Sequence, residues 1–269
     1  MRKLLTFLIA LAVSVGAAAS SFGGSMTLLG VGTPPASGYT AQGVTFATNT
    51  NLDKPSHLTG VADSKTGMLS FWFKAQAGTD TTTIRILAGA GAIVVERLAT
   101  SDVMRVILIN AAGTNIMNIQ TLSTFAVGSG WHHFLARWDL SVPSFQYYVN
   151  DVSDAGNNFG LTNDTIAYNT TANDWSFNAI GVNGAFDIAD LWFEPNQTPL
   201  DFSVTANRRK FISAGLAPVN LGTNGSTPTG TPPAIFMSGA AASWNTNKGA
   251  GGGFTSSGTA ITAASTNPP

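Results

Sequence analysis

Three segments do most to limit what this chain can fold into. They are Gly67-Met68-Leu69-Ser70-Phe71-Trp72-Phe73-Lys74, then Gly130-Trp131-His132-His133-Phe134-Leu135-Ala136-Arg137-Trp138 continuing into Phe145-Gln146-Tyr147-Tyr148-Val149-Asn150-Asp151, then Ile180-Gly181-Val182-Asn183 leading into Phe186-Asp187-Ile188-Ala189-Asp190-Leu191-Trp192-Phe193. Each is rich in aromatic and β-branched residues, and alternate positions share a face with a period of two, as in a strand. Further strand candidates are 84–88, 93–97, 104–110, 116–121 and 176–182, with turn-rich intervals and no long helical period between them. The expectation is an all-β, two-sheet antiparallel jelly-roll sandwich. One short helix is expected, N-capped by Asp201 or Ser203, running to residue 214 and stopped by Gly215, with Arg208-Arg209-Lys210 on a solvated face.

Composition narrows the function classes. The formal net charge of −1 leaves no basic stripe of the kind that tracks a phosphate backbone, so nucleic-acid binding is not expected. The sequence holds no cysteine, which removes disulfides and thiolate metal sites. Arg2 and Lys3, an apolar run to Val15 and the small residues Ala17-Ala18-Ala19 read as a signal peptide over 1–19, with Met26 as an alternative translation start. The apolar run is short for a membrane span, so none is expected once the signal is removed. The sandwich is expected over 20–219. Residues 220–269 form a Gly/Thr/Pro-rich segment, with one short strand near 234–237 and a loop or tail in which Trp244 and Phe254 suggest docking.

In this order and spacing, the three motif segments resemble the concanavalin A-like lectin/glucanase jelly rolls, most closely their laminin G-like branch. The resemblance covers roughly residues 28–215. It implies a secreted, extracellular or virion-surface protein whose partner is a carbohydrate or a neighbouring virion or cell-surface protein. The run Thr223-Asn224-Gly225-Ser226-Thr227-Pro228-Thr229-Gly230 is similar to the ends of phage-encoded proteins with this jelly roll, which favours attachment to or decoration of a virion. A purely structural virion or secreted protein without a ligand is the alternative, and a glycoside hydrolase a more distant one.

Strand alternation sorts the motif residues into two faces. Leu69, Phe71, Phe73, His132, Phe134, Ala136, Trp138, Phe145, Tyr147, Val149, Asp187, Ala189, Leu191 and Phe193 are expected between the sheets. The opposite set mixes aromatic rings with amides and charges. From it, Trp72, Tyr148 and Trp192 form a candidate sugar-stacking platform, with Asn150 and Asp190 as polar anchors. The alternative is that these rings only cover the outer sheet or lie beneath the C-terminal segment. The resemblance also implies a calcium site at loop ends, for which Asp190 is the candidate ligand. Ala189 replaces the second acid, which weakens the donor set. Asn150-Asp151 replaces Asn-Gly at the hairpin and can still supply the positive φ such a turn wants.

Catalytic signatures are missing. The glucanases of this superfamily carry paired carboxylates on one strand face, whereas the two glutamates here, Glu96 and Glu194, sit on different strands. Asp187 and Asp190, three apart, fall on opposite faces by alternation. His132 and His133 also point oppositely and cannot chelate one metal together. No cofactor is implied beyond the candidate calcium. The expected outcome is no release of reducing sugar from β-glucans by the purified protein. Activity that survives repurification and vanishes in Asp190→Ala or Glu194→Ala would restore the hydrolase reading.

Overall fold

The computed structural model of the protein describes residues 38–79, 82–89, 91–169, 174–178 and 184–269. The signal-peptide reading of 1–19, Met26 and residues 180–183 of the third motif lie outside the described residues. In chain order, β1 (Val44–Phe46) and β2 (Thr50–Lys54) precede the long β3 (Thr66–Ala75). Four strands follow in meander order: β4 (Ile84–Gly89), β5 (Ile93–Arg97), β6 (Val103–Ile109) and β7 (Asn115–Thr124). Then come β8 (His132–Asp139), β9 (Ser144–Val149), β10 (Val152–Ser153), β11 (Ala155–Leu161), β12 (Trp175–Phe177) and β13 (Phe186–Glu194). A single helical turn, α1 (Thr205–Arg208), leads to β14 (Ile235–Met237), β15 (Thr255–Gly258) and β16 (Thr262–Ala263).

The strands form two antiparallel eight-stranded sheets. The first runs β10-β9-β8-β3-β13-β1-β16 with β14 also paired to β13, and the second runs β11-β7-β6-β5-β4-β12-β2-β15. This is the expected jelly-roll sandwich. The three motif segments lie side by side as β9, β8, β3 and β13, half of one sheet. Between the sheets, Phe71, Phe73, Phe134, Trp138 and Phe193 meet Ile86, Val95, Val106, Met117 and Trp175, all buried. Burial of this continuous apolar layer stabilises a cysteine-free fold.

Two expectations about the chain end are corrected. Residues 220–269 are not a tail outside the sandwich: β14 and β16 complete the first sheet, and β15 completes the second. Trp244 and Phe254 are core residues, with ring centroids 6.0 Å from Phe46 and 5.3 Å from Phe177 respectively. The helix expected to reach residue 214 is one turn, and Val204 rather than Asp201 or Ser203 precedes it. Of its basic run Lys210 is exposed, as expected, whereas Arg208 Nε and Arg209 Nη2 donate to the Asp151 carboxylate at 2.5 and 2.6 Å. Among the described residues no helix is long and apolar enough to cross a membrane.

The outer face of the first sheet is roofed. Trp192 is fully buried in a cluster with Met68, Leu135, Phe202, Phe211, Leu221 and Phe236. Its indole N–H donates to the Gly225 carbonyl at 2.7 Å, so the polar edge of the ring is satisfied as well as the apolar one. Trp192→Ala is therefore expected to cost about 3–5 kcal/mol in denaturant unfolding, the scale of a cavity left by a buried aromatic. An unchanged midpoint would show the roof to be loosely attached.

Candidate functional site

The structure disperses the expected stacking platform. Trp72 is buried against Ala41, Ala189 and Ile212, and Trp192 is sealed beneath the roof. Tyr148 is half-buried with the Arg208 guanidinium 4.7 Å over its ring. Neither Trp72 nor Trp192 has an open face for a sugar, because residues 39–41 and 200–236 cover the side of the sheet that alternation alone leaves bare, and Arg208 takes one face of Tyr148. Asn150 does adopt the expected left-handed turn with Asp151, at φ 46° and 67°. Its side chain is committed: Oδ1 accepts from the His133 amide at 2.8 Å and Nδ2 meets His132 Nδ1 at 3.2 Å. The two histidines do part, as expected. His133 is buried on the outer face, its Nε2 2.9 Å from Ser70 Oγ, and burial pushes its pKa down to about 3.

Asp190 has a different setting from the one alternation assigns. Ala189 pairs with Trp72 and Trp192 with Ser70, so Asp190 and Leu191 together oppose one residue of β3. This is a β-bulge, with Asp190 in the left-handed region at φ 46°. The bulge resets the alternation. Phe186 and Ile188 face the sandwich before it, Leu191 and Phe193 after it. Asp187 and Ala189, expected inside, are outside, where Asp187 meets Lys74 at 2.9 Å and Thr45 at 2.6 Å. Asp187 and Asp190 consequently share the outer side rather than opposing it.

The Asp190 carboxylate is only 3% exposed. The Tyr39 hydroxyl reaches both of its oxygens at 3.0 Å. Burial pushes the Asp190 carboxyl up to about 7, with the Tyr39 hydrogen bond and the nearby Lys248 ammonium pulling the other way. Burial, then the Asp190 charge, hold the Tyr39 phenol above its ordinary range. The donor set does not fit calcium. One acid already engaged by a phenol and facing an ammonium lacks the charge a hard cation needs, and among the described residues no group of three His, Asp or Glu could hold a metal.

Beside this latch lies a cleft of about 400 Å³. It is built from three stretches far apart in sequence: Tyr39, Thr40 and Gln42; Asn220 and Thr223; Ser238 and Lys248. Lys248 Nζ donates to the Ser238 carbonyl at 2.7 Å and its hydroxyl at 3.0 Å. The exposed side chains of Thr40, Gln42 and Thr223 make no hydrogen bond to other described residues, so their donors and acceptors face the cleft mouth. The arrangement suits hydroxyl-rich ligands beside a phenol ring. Among the described residues it brings no nucleophile–base pair and no second carboxylate beside Asp190. Sequence reasoning reached Asp190 but missed Tyr39, Gln42, Thr223 and Lys248. Their only shared signal was polarity in Gly/Thr-rich stretches, which reads as loop.

No protein-family model and no curated protein matches the sequence. Among solved structures, the fold resembles a Bacteroides ovatus protein assigned to carbohydrate binding, with TM-score 0.57 and 13% identity over 85% of this chain. The chain spans 62% of that protein. It also resembles the heptameric SAP-like pentraxin of Limulus polyphemus, with TM-score 0.51 and 10% identity, covering 84% of this chain and 96% of the pentraxin chain. At such identities the likeness is one of fold, a concanavalin-like sandwich.

The buried carboxyl makes a pH prediction. With its folded pKa raised from 3.8 to about 7, the folded chain keeps a proton that the unfolded chain releases across that window. Stability from this group is thus present below about pH 4 and lost as pH rises through 7. At about 1.4 kcal/mol per pH unit, the full effect is on the order of 4 kcal/mol. His133, lowered by burial, works in the opposite sense below its unfolded value, so the comparison is made between variants. Asp190→Asn should change the melting temperature little at about pH 4 and raise it clearly at pH 8. A gap between the two proteins that stays constant from about pH 4 to 8 would show that Asp190 is not buried as an acid.

Proposed function

We propose that the protein is a non-catalytic, lectin-like carbohydrate-binding module whose saccharide lies in the cleft beside Tyr39. The observation that carries this reading is the set of unpaired amide and hydroxyl groups of Gln42, Thr40 and Thr223 around a phenol ring anchored by a buried carboxylate. Sugars need such a pairing of directional polar groups with one apolar face. The likeness to a protein assigned to carbohydrate binding supports the same class. The adjacency of β9, β8, β3 and β13 supports the narrower placement in the laminin G-like branch.

A second reading, packing against a neighbouring protein of a virion or cell surface, draws on Leu122, Val152 and Phe159. These three large apolar side chains are exposed near the β7, β10 and β11 edges. Surface attachment and export fit both readings.

The test is a glycan array probed with the full-length chain, followed by titration of any hit against Gln42→Ala and Thr223→Ala. Both side chains are exposed and unpaired, so melting temperatures should hold while affinity falls about tenfold, roughly the loss of one or two hydrogen bonds. If no glycan binds, or both variants bind as the parent does, the cleft is not a saccharide site.

A further inference from the structure

The outer face of the second sheet bears a charged row that neither the core nor the cleft uses. Arg85 on β4, Glu96 on β5, Arg105 on β6 and Gln120 on β7 stand opposite one another across four neighbouring strands. Glu96 is almost wholly buried between the two arginines. Arg105 donates through Nε at 2.9 Å and through Nη2 to one carboxylate oxygen, while Arg85 donates through Nε at 3.4 Å and Nη2 at 3.3 Å to the other. The arginine side chains themselves remain 30% and 26% exposed.

Counting charge and donors shows what is left over. One carboxylate against two guanidiniums leaves a surplus of one positive charge. A guanidinium has five N–H groups. Each arginine spends its Nε and Nη2 on Glu96, and neither Nη1 has a partner among the described residues. Asp53 on β2, an acid in register with the row's neighbours, lies two strands beyond β4 and accepts from Ser257. Two residues along from Gln120, the side-chain oxygen of Asn118 is buried without a partner among the described residues. Across two strand spacings the arginines lie roughly 10 Å apart.

We propose that this face binds an anionic saccharide, with carboxylate or sulfate groups taken by the free N–H groups of Arg85 and Arg105 and hydroxyls met by Gln120. Guanidinium recognises planar carboxylates and sulfate-like oxyanions with paired N–H donors, and a glutamate locked between two arginines fixes those donors in direction. The formal net charge of −1 favours an acidic sugar over a nucleic acid, which needs a basic stripe along its backbone. The site is separate from the cleft and stands or falls without it.

The test uses the full-length protein with four probes at low salt: dextran sulfate, polygalacturonate, neutral dextran and a single-stranded oligonucleotide. The two anionic polysaccharides should bind and weaken with added salt, while dextran and the oligonucleotide should not compete. Gln120→Glu places a carboxylate beside Arg105 without touching the Glu96 bonds, and should weaken binding about tenfold. Gln120→Lys should strengthen it, and both variants should melt as the parent does. Arg105→Gln should abolish binding, although the loss of a Glu96 partner can also lower stability, which is why the Gln120 pair decides. Equal binding of dextran or the oligonucleotide, or anionic binding indifferent to both Gln120 changes, overturns the proposal. Gln42→Ala and Thr223→Ala should leave polyanion binding unchanged, so failure here and failure at the cleft are read separately.

Discussion

One left-handed residue sets the whole outer side of the first sheet. Had β13 alternated strictly beyond Ile188, Asp190 and Trp192 would point between the sheets, and Leu191 and Phe193 would point away. A carboxylate in a dry aromatic core costs far more than a single residue in the left-handed region, which aspartate tolerates better than most side chains. The bulge at φ 46° moves Asp190 outward, returns Leu191 and Phe193 to the core, and turns Trp192 towards the roof. The latch to Tyr39 and the cleft beside it are consequences of that one extra residue.

The roof explains how a chain without disulfides closes a sheet on both sides. Phe202, Phe211 and Phe236 surround Trp192, with ring centroids of Trp192 and Phe211 5.2 Å apart edge to face. Gly225 is needed where it stands. A Cβ there would lie 2.8 Å from the Phe236 ring, and its own φ of 78° favours glycine, so the carbonyl that caps the Trp192 indole is delivered by a residue with no side chain. At the far edge, Asp151 in the β9–β10 turn binds both Arg208 and Arg209, and Arg208 in turn covers Tyr148. The roof is thus held by buried rings at its centre and by partly buried ion pairs at its margin.

The fold was legible because its information is local. Period-two alternation in β3, β8 and β9 assigned Phe71, Phe134 and Tyr147 to the core, and Asn150-Asp151 announced a turn with positive φ. What alternation cannot contain is an inserted residue, so β13 was read correctly as a strand and wrongly as to faces up to Ala189. Nor does it contain what covers a face. Trp72 and Trp192, placed correctly on the outer side, looked like a sugar platform because the covering residues arrive from 39–41 and 200–236, stretches of Gly, Thr and Pro with little period of their own. Trp244 and Phe254 were the one signal that the chain end packs, since a solvated tail would not expose two such rings.

With much of one sheet covered on both faces, the two candidate surfaces lie at the rim and on the second sheet, and they differ in physics. The cleft at Tyr39 is nearly neutral: its buried acid is matched by a phenol and an ammonium, so what it recognises must be selected by hydrogen-bond direction, a short-range property little affected by salt. The Arg85–Glu96–Arg105 row works through surplus charge. A single well-placed arginine already satisfies a carboxylate with two parallel bonds. The second adds repulsion between two guanidiniums, which its bonds to the buried Glu96 carboxylate offset only in part. Its place on an open sheet face is accounted for when an outside anion completes the pairing, because the same repulsion that weakens the bare row is relieved once the ligand's charge arrives.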